Sequence, residues 1–122
     1  KRLLKELERA DVQQWIVTSS GESSVKALLR SFPSDLQGIF RGMVTSDAVT
    51  RHKPFPDPYS LALHRSGADP DAVVVCEDST PGLQSALAAG LHCLLPPSPW
   101  DRELEDCRHQ AHAVADHLGE VA

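Results

Sequence analysis

An apolar run that ends in two adjacent carboxylates constrains this chain more than any other segment. Residues 72–76 are apolar, and Glu77 and Asp78 follow them directly. A strand without polar alternation is typical of a sheet that helices bury on both faces. Thr80 then predicts a helix N-cap, and Pro81 fits the first helical position. The segment therefore predicts a buried strand that carries two acidic groups to its C-terminal end.

Composition limits what the rest of the chain can be. The 122 residues are 41% hydrophobic and 24% charged, which is enough for one ordered domain with a core. No apolar run approaches the roughly 18 residues that span a bilayer, so we expect no membrane segment. The net charge of -5 argues against a nucleic-acid partner but allows a phosphate ligand.

The cysteines indicate a reducing environment. There are three of them, without the spacing of a metal site, so we expect reduced thiols and a cytoplasmic protein. Cys76 and Cys93 lie in predicted strands, where we expect them to be small buried hydrophobes.

Hydrophobic periodicity predicts alternating strands and helices. Strands are expected at 15–17, 39–45, 72–76 and 91–95, with a short edge strand at 113–115. Helices are expected at 1–10, 22–32, 58–66, 81–89 and 101–110, with a helical turn at 116–121. This order predicts a single α/β domain over 1–122, a Rossmann-like three-layer α/β/α sandwich with a mostly parallel sheet. Such sheets bind ligands at the C-terminal ends of their strands.

Two polar segments at predicted strand ends have groups that bind phosphate. Thr18, Ser19 and Ser20 follow the first strand and precede a helix, whose orphan N–H groups and dipole favour an anion. Lys53 follows the second strand and would place a positive charge against phosphate oxygens. Each segment alone has a simpler interpretation, as a helix cap or a solvated lysine. Their shared position at strand ends indicates a phosphate site.

Glu77 and Asp78 have the chemistry of a magnesium site. Mg²⁺ prefers oxygen ligands and usually takes one or two protein carboxylates, with water and phosphate completing its shell. A polar strand end would explain the pair equally well if it stood alone. Together with the phosphate-binding groups, the pair indicates phosphoryl transfer.

Three segments are similar to known sequence motifs. Residues 16–20 read IVTSS, residues 52–59 read HKPFPDPY, and residues 75–82 read VCEDSTPG. They resemble the second, third ("KPxPDxY/F") and fourth ("EDSxxGxxAAxAAG") motifs of the haloacid dehalogenase-like hydrolase superfamily, in its β-phosphoglucomutase and phosphoglycolate phosphatase-like branch. The resemblance covers almost the whole chain, and it is most specific in the third and fourth motifs.

The resemblance implies a role for each residue that would meet the phosphoryl group. Ser19 would supply the hydroxyl that binds it, and Thr18 and Ser20 would line the same loop. Lys53 would be catalytic, because it would stabilise charge on the phosphoryl group.

The resemblance also implies a metal site in the fourth motif. Asp78 would bind Mg²⁺, and Glu77 would bind it directly or through water. Ser79 would support these carboxylates by hydrogen bonding. Gly82 would allow close packing at the helix start.

One departure from the superfamily concerns the nucleophile. The first motif, DxDGT, supplies the aspartate that attacks phosphorus and a second aspartate that acts as acid and base, and this sequence has no such motif. The strand that bears it would lie at the centre of the sheet, between the strands ending at Val17 and Cys76. Its loss would leave two unpaired strand edges. We therefore expect this chain to be the C-terminal part of a longer enzyme, paired with its N-terminal segment or with another chain.

The expected function is a Mg²⁺-dependent phosphatase or phosphomutase acting on a small phosphorylated metabolite, through an aspartyl-phosphate on the absent segment. The alternative is a non-catalytic remnant that binds phosphate or a partner. The absent nucleophile favours that alternative, whereas the intact Lys53, Glu77 and Asp78 argue against it. A receiver-like signalling domain uses similar groups, but it places its acidic pair early and its lysine late, which is the reverse of the order here.

Overall fold

The structure is a computed structural model, and it describes residues 2–95 and 113–114. In chain order the elements are α1 (Arg2–Arg9), β1 (Trp15–Val17), α2 (Glu22–Arg30), β2 (Gly42–Val44), α3 (Asp57–Ser66), β3 (Val74–Cys76), α4 (Thr80–Ala88), β4 (His92–Leu95) and β5 (Ala113–Val114), with 3₁₀ turns at Ser46–Ala48 and Pro70–Ala72. The helix predicted at 101–110 and the turn predicted at 116–121 lie outside the described residues. No helix in the described part of the chain is long and apolar enough to cross a membrane.

The strands form two parallel sheets. One sheet has the order β1-β2 and the other has the order β3-β4-β5. Every described pair of strands is parallel, which confirms the predicted α/β class with a parallel sheet. Among the residues that the structure describes, β1 pairs with β2 and β3 pairs with β4, so each keeps one unpaired edge. The described strands thus form two separate sheets, and the central strand expected between β1 and β3 stays a prediction.

Turn residues end the helices as their chemistry predicts, with two shifts of one residue. Gly67 is left-handed at φ 67° and ends α3, and its N–H donates to the Leu63 carbonyl at 3.0 Å. Helix α3 begins at Asp57, one residue before the predicted Pro58. Helix α4 is capped by Ser79, so the prediction of Thr80 as the N-cap was wrong. Thr80 is instead the first helical residue.

The core lies between the β3-β4 sheet and helices α3 and α4. Buried Val75, Cys93 and Leu95 face these helices, which contribute Tyr59 and Leu83 to the same cluster. Helix α3 also contacts β1, β2 and α4, so it connects the two sheets. Packing against α3 therefore holds the ends of β1 and β3 near each other.

The opposite face of β3 is open, which contradicts the expected burial on both faces. Val74 is 60% exposed and Cys76 is also exposed, whereas Val75 between them is buried. The side chains of a strand alternate between the two faces of the sheet, so Val74 and Cys76 point away from α3 and α4. The expectation of buried thiols therefore holds for Cys93, which is opposite Val75 in the register, and was wrong for Cys76.

Candidate functional site

The loop after β2 places Lys53 between the ends of β1 and β3. The Lys53 ammonium donates to the carbonyl of Val17, the last residue of β1, at 3.0 Å. It also forms an ion pair with Oε1 of Glu77, the first residue after β3. The two side chains are only 11% and 7% exposed. Because a buried charge is costly without a partner, this pair is a strong constraint on how the two strand ends meet.

Tyr59 is the third member of this group. It lies in the first turn of α3, and its hydroxyl donates to the same Glu77 oxygen that Lys53 contacts. The Lys53 ammonium also lies 5.2 Å from the centre of the Tyr59 ring, within cation–π range. Burial, and then the adjacent Glu77 carboxylate, raise the pKa of Tyr59 far above its ordinary value. Tyr59 is therefore a neutral donor to Glu77, and we call Lys53, Tyr59 and Glu77 the Glu77 cluster.

Gly82 lies directly against the Glu77 carboxylate. A Cβ atom at this position would overlap Glu77 Oε2 and lie closer to it than any such contact can be. The Gly82 N–H donates to Ser79 Oγ at 3.2 Å and so forms the cap of α4. The close approach expected at Gly82 is thus to the carboxylate. The Ser79 side chain accepts this hydrogen bond from the Gly82 N–H, whereas the sequence predicted hydrogen bonds from Ser79 to the carboxylates.

Asp78 extends the carboxylate pair toward solvent. It is exposed, whereas Glu77 beside it is buried. Among the described residues no group of three or more histidine, cysteine, aspartate or glutamate side chains forms a metal cluster. Mg²⁺ needs only one or two protein carboxylates when water and phosphate supply its other ligands. The exposed Asp78 carboxylate and the neighbouring Glu77 carboxylate supply the number and kind of ligands that this requirement sets.

The loop after β1 presents its hydroxyls on a fixed backbone. The Thr18 N–H donates to the Val44 carbonyl, and the Ser46 N–H donates to the Ser20 carbonyl, each at 3.0 Å. Thr18 Oγ1 accepts from the Ser20 N–H at 3.1 Å, so this hydroxyl helps to form the turn. Ser19 and Ser20 are exposed. The loop is therefore held by its own backbone hydrogen bonds, with Ser19 open to solvent.

Asp47 caps helix α2 beside the loop after β1, a contact that the sequence did not predict. Its Oδ2 accepts from the N–H of Glu22, the first residue of α2, at 2.7 Å. Gly21 is the N-cap of α2 and has no side chain to cap the helix, so a carboxylate from another loop takes that place. One orphan donor of α2 is thereby used inside the protein.

The sequence contained only part of the signal for these contacts. Tyr59 ends the HKPFPDPY segment, but the motif accepts tyrosine or phenylalanine there and so does not indicate a role for the hydroxyl. Asp47 is 25 residues away from the amide that it caps, and a cap from so far along the chain has no local pattern. The predicted residues that the structure does bring together are Lys53, Glu77 and Gly82, with Asp78 and Ser79 next to them.

Comparison with known proteins assigns the chain to a family. The sequence model of the haloacid dehalogenase-like hydrolases matches residues 1–95. The chain therefore belongs to the haloacid dehalogenase-like hydrolase family. Its resemblance to the phosphoglucomutase and phosphatase-like branch is also confirmed, since a putative β-phosphoglucomutase from Thermotoga maritima is 28% identical at a TM-score of 0.80, over 92% of this chain and 51% of that one.

Two further relatives show what share of a related protein this chain matches. Protein CbbY of Cereibacter sphaeroides is 35% identical over 117 residues, which are 95% of this chain and 48% of that protein. The structure of a CbbY mutant from Rhodobacter sphaeroides in complex with xylulose-(1,5)-bisphosphate superposes with a TM-score of 0.84 at 33% identity, over 98% of this chain and 52% of that one. The chain thus spans about half the length of the relatives that it matches.

Proposed function

We propose that this chain forms part of a Mg²⁺-dependent phosphatase that acts on a small phosphorylated sugar. The observation that carries the proposal is the buried Lys53–Glu77 pair, which is bonded to the end of β1 and stands at the end of β3. A buried cation at the C-terminal ends of parallel strands is suited to bind a dianionic group. Membership of a hydrolase family supports the reaction type.

The phosphoryl group would bind between the two strand ends. The Ser19 hydroxyl would donate to a phosphoryl oxygen, and Lys53 would neutralise part of the charge on the phosphoryl group. Asp78 would hold Mg²⁺ directly, and Glu77 would hold it through Oε2 or through a water molecule. When bound, Mg²⁺ would offset the negative charge of the phosphoryl group and let a carboxylate approach it.

The nucleophile would come from a strand of the full-length protein that this chain does not include. We propose that this strand lies between the unpaired edges of β1 and β3 and ends in an aspartate. The aspartate oxygen would form a bond to phosphorus as the bond from phosphorus to the sugar oxygen breaks. A second aspartate of the same segment would protonate the leaving sugar oxygen and would then take a proton from the attacking water. Water would then cleave the aspartyl-phosphate and release inorganic phosphate. The unpaired edges and the twofold length of the relatives support this arrangement.

Hydrolysis measurements on the full-length protein test the proposal. The panel contains xylulose-1,5-bisphosphate, a hexitol phosphate and glucose 1-phosphate, each with Mg²⁺ or with EDTA. We expect phosphate release that needs Mg²⁺, while conversion of glucose 1-phosphate to its 6-phosphate would indicate a phosphomutase instead. Failure of a folded protein to turn over any of these esters would overturn the proposal in favour of a non-catalytic phosphate-binding domain.

A pair of aspartate variants makes the test specific to the candidate site. We expect Asp78→Asn to lower Mg²⁺-dependent turnover at least about 100-fold, because it removes charge from a preorganised site. Asp71→Asn changes an exposed carboxylate in a 3₁₀ turn outside the site, and we expect it to leave turnover unchanged. Equal activity of the two variants would contradict the assignment of Asp78.

A further inference from the structure

The Tyr59 hydroxyl is buried where an apolar ring alone would pack as well. Its side chain belongs to the core cluster with Val75 and Leu83, and the residue is only 5% exposed. A phenol hydroxyl in such a place is unfavourable unless it has a hydrogen-bond partner. Here the acceptor is Glu77 Oε1. The hydroxyl therefore makes one specific hydrogen bond, to Glu77, in an otherwise apolar environment.

Glu77 Oε1 accepts from two donors, Lys53 and Tyr59, whose side chains differ in flexibility. The Lys53 ammonium is a compact charge on a flexible stem and fixes the position of Glu77 better than its orientation. The Tyr59 phenol is rigid beyond two side-chain torsions, so it sets the direction from which Oε1 is approached. Gly82 limits the carboxylate from the other side, because Oε2 lies against its bare Cα. Together these contacts hold both Glu77 oxygens.

The same contacts connect Glu77 to the frame of the domain. Tyr59 is in α3, which packs on β1, β2 and α4. A shift of Glu77 would thus require either loss of the Tyr59 hydrogen bond or movement of a helix that contacts both sheets. Lys53 lies in a loop and connects Glu77 to the end of β1 through the Val17 carbonyl, not to a helix.

We propose that Tyr59 is a positioning residue, whose hydroxyl orients the Glu77 carboxylate for metal binding together with Asp78. The inference rests on the proposed function for the identity of the metal. It goes beyond that function in giving the core of the domain a direct part in building the metal site.

Comparison of Tyr59→Phe with the unmodified full-length protein tests the inference. The variant removes one oxygen atom and keeps the ring that packs in the core. We expect the dissociation constant for Mg²⁺, measured by calorimetry without substrate, to rise about 10-fold, as is common when the partner of a metal ligand is lost. The kcat at limiting Mg²⁺ should fall with it, whereas the KM for the phosphate ester should stay within about twofold.

Leu63→Ala is the matched control on the same helix. Leu63 packs against the same core cluster without being part of the Glu77 cluster. We expect it to lower the melting temperature and to leave the Mg²⁺ dissociation constant unchanged, so that loss of packing is separated from loss of orientation. Unchanged Mg²⁺ affinity in Tyr59→Phe, or an equal loss in Leu63→Ala, would overturn the inference. An absent phosphatase activity would count against the proposed function. It would not affect the test of Tyr59, because Mg²⁺ binding is measured without turnover.

Discussion

The Glu77 cluster and the loop after β1 are two halves of one candidate site, and they are built in opposite ways. The cluster is buried, and contacts from a loop, a helix and a glycine hold its carboxylate. The loop carries exposed serines, and hydrogen bonds to its backbone hold it in place. The charged half is therefore organised inside the chain, whereas the hydroxyl half is left free for a ligand.

The difference follows from the free energy lost when a buried charge or an exposed hydroxyl has no hydrogen-bond partner in the protein. A buried carboxylate or ammonium without a partner is strongly unfavourable, so the fold must satisfy it before any ligand arrives. An exposed serine hydroxyl is satisfied by water and can exchange that water for a phosphate oxygen at little cost. The comparison predicts that changes in the cluster affect folding and activity together, while changes in the loop affect ligand binding alone.

The largest effect is expected from Lys53→Ala. It leaves Glu77 buried without its cation, which typically costs about 3–5 kcal/mol of unfolding free energy. Urea denaturation of the full-length protein measures this loss. The control is Lys26→Ala, which removes an exposed pair with Glu22 at 3.0 Å and should cost no more than about 0.5 kcal/mol. Equal costs for the two variants would show that the Glu77 cluster is not the buried anchor described above.

A smaller effect is expected from Gly82→Ala. The added methyl group must displace the Glu77 carboxylate or the start of α4, and forced overpacking of this kind costs about 1–3 kcal/mol. Gly21→Ala is the matched control, since Gly21 has φ −74° and an added Cβ would meet Asp47 at an ordinary 3.6 Å. Thermal unfolding of both variants measures the difference. A Gly82→Ala protein as stable and active as Gly21→Ala would contradict the prediction that changes at the Glu77 cluster lower stability and activity together.

The smallest effect on stability is expected from Ser19→Ala. The side chain is exposed, so the unfolding free energy should change by less than about 0.5 kcal/mol. Loss of one hydrogen bond to phosphate should raise the inhibition constant of inorganic phosphate about 3- to 10-fold. The exposed Ser24→Ala in α2 should change neither quantity. Unfolding of Ser19→Ala at the level of Lys53→Ala would show that the loop is structural in the same way as the cluster.

The sequence was most informative where the signal is local. The bounds of β1 were predicted correctly, and Gly67 marked the end of α3 because a left-handed turn favours glycine. The three polar segments were placed at strand ends, which is where the structure has them. The start of α4 shifted by one residue because Ser79 and Thr80 are both good caps, and hydrogen-bond geometry decides between them.

Contacts between distant segments could not be predicted in the same way. The bond from Tyr59 to Glu77 and the cap that Asp47 provides depend on where α3 and the loop after β2 pack. The exposed Val74 was misjudged for a related reason. An apolar run shows that a strand can be buried on both faces, but it does not show what covers each face.

The central claim is that the Glu77 cluster and the Ser19 loop bind one phosphoryl group together with Mg²⁺. A crystal structure of the full-length protein with Mg²⁺ and orthovanadate tests it most directly. The account predicts a metal about 2.0–2.1 Å from an Asp78 carboxylate oxygen, and vanadate oxygens within hydrogen-bond distance of both Ser19 and Lys53. A metal bound away from Asp78, or vanadate that contacts neither Ser19 nor Lys53, would contradict it.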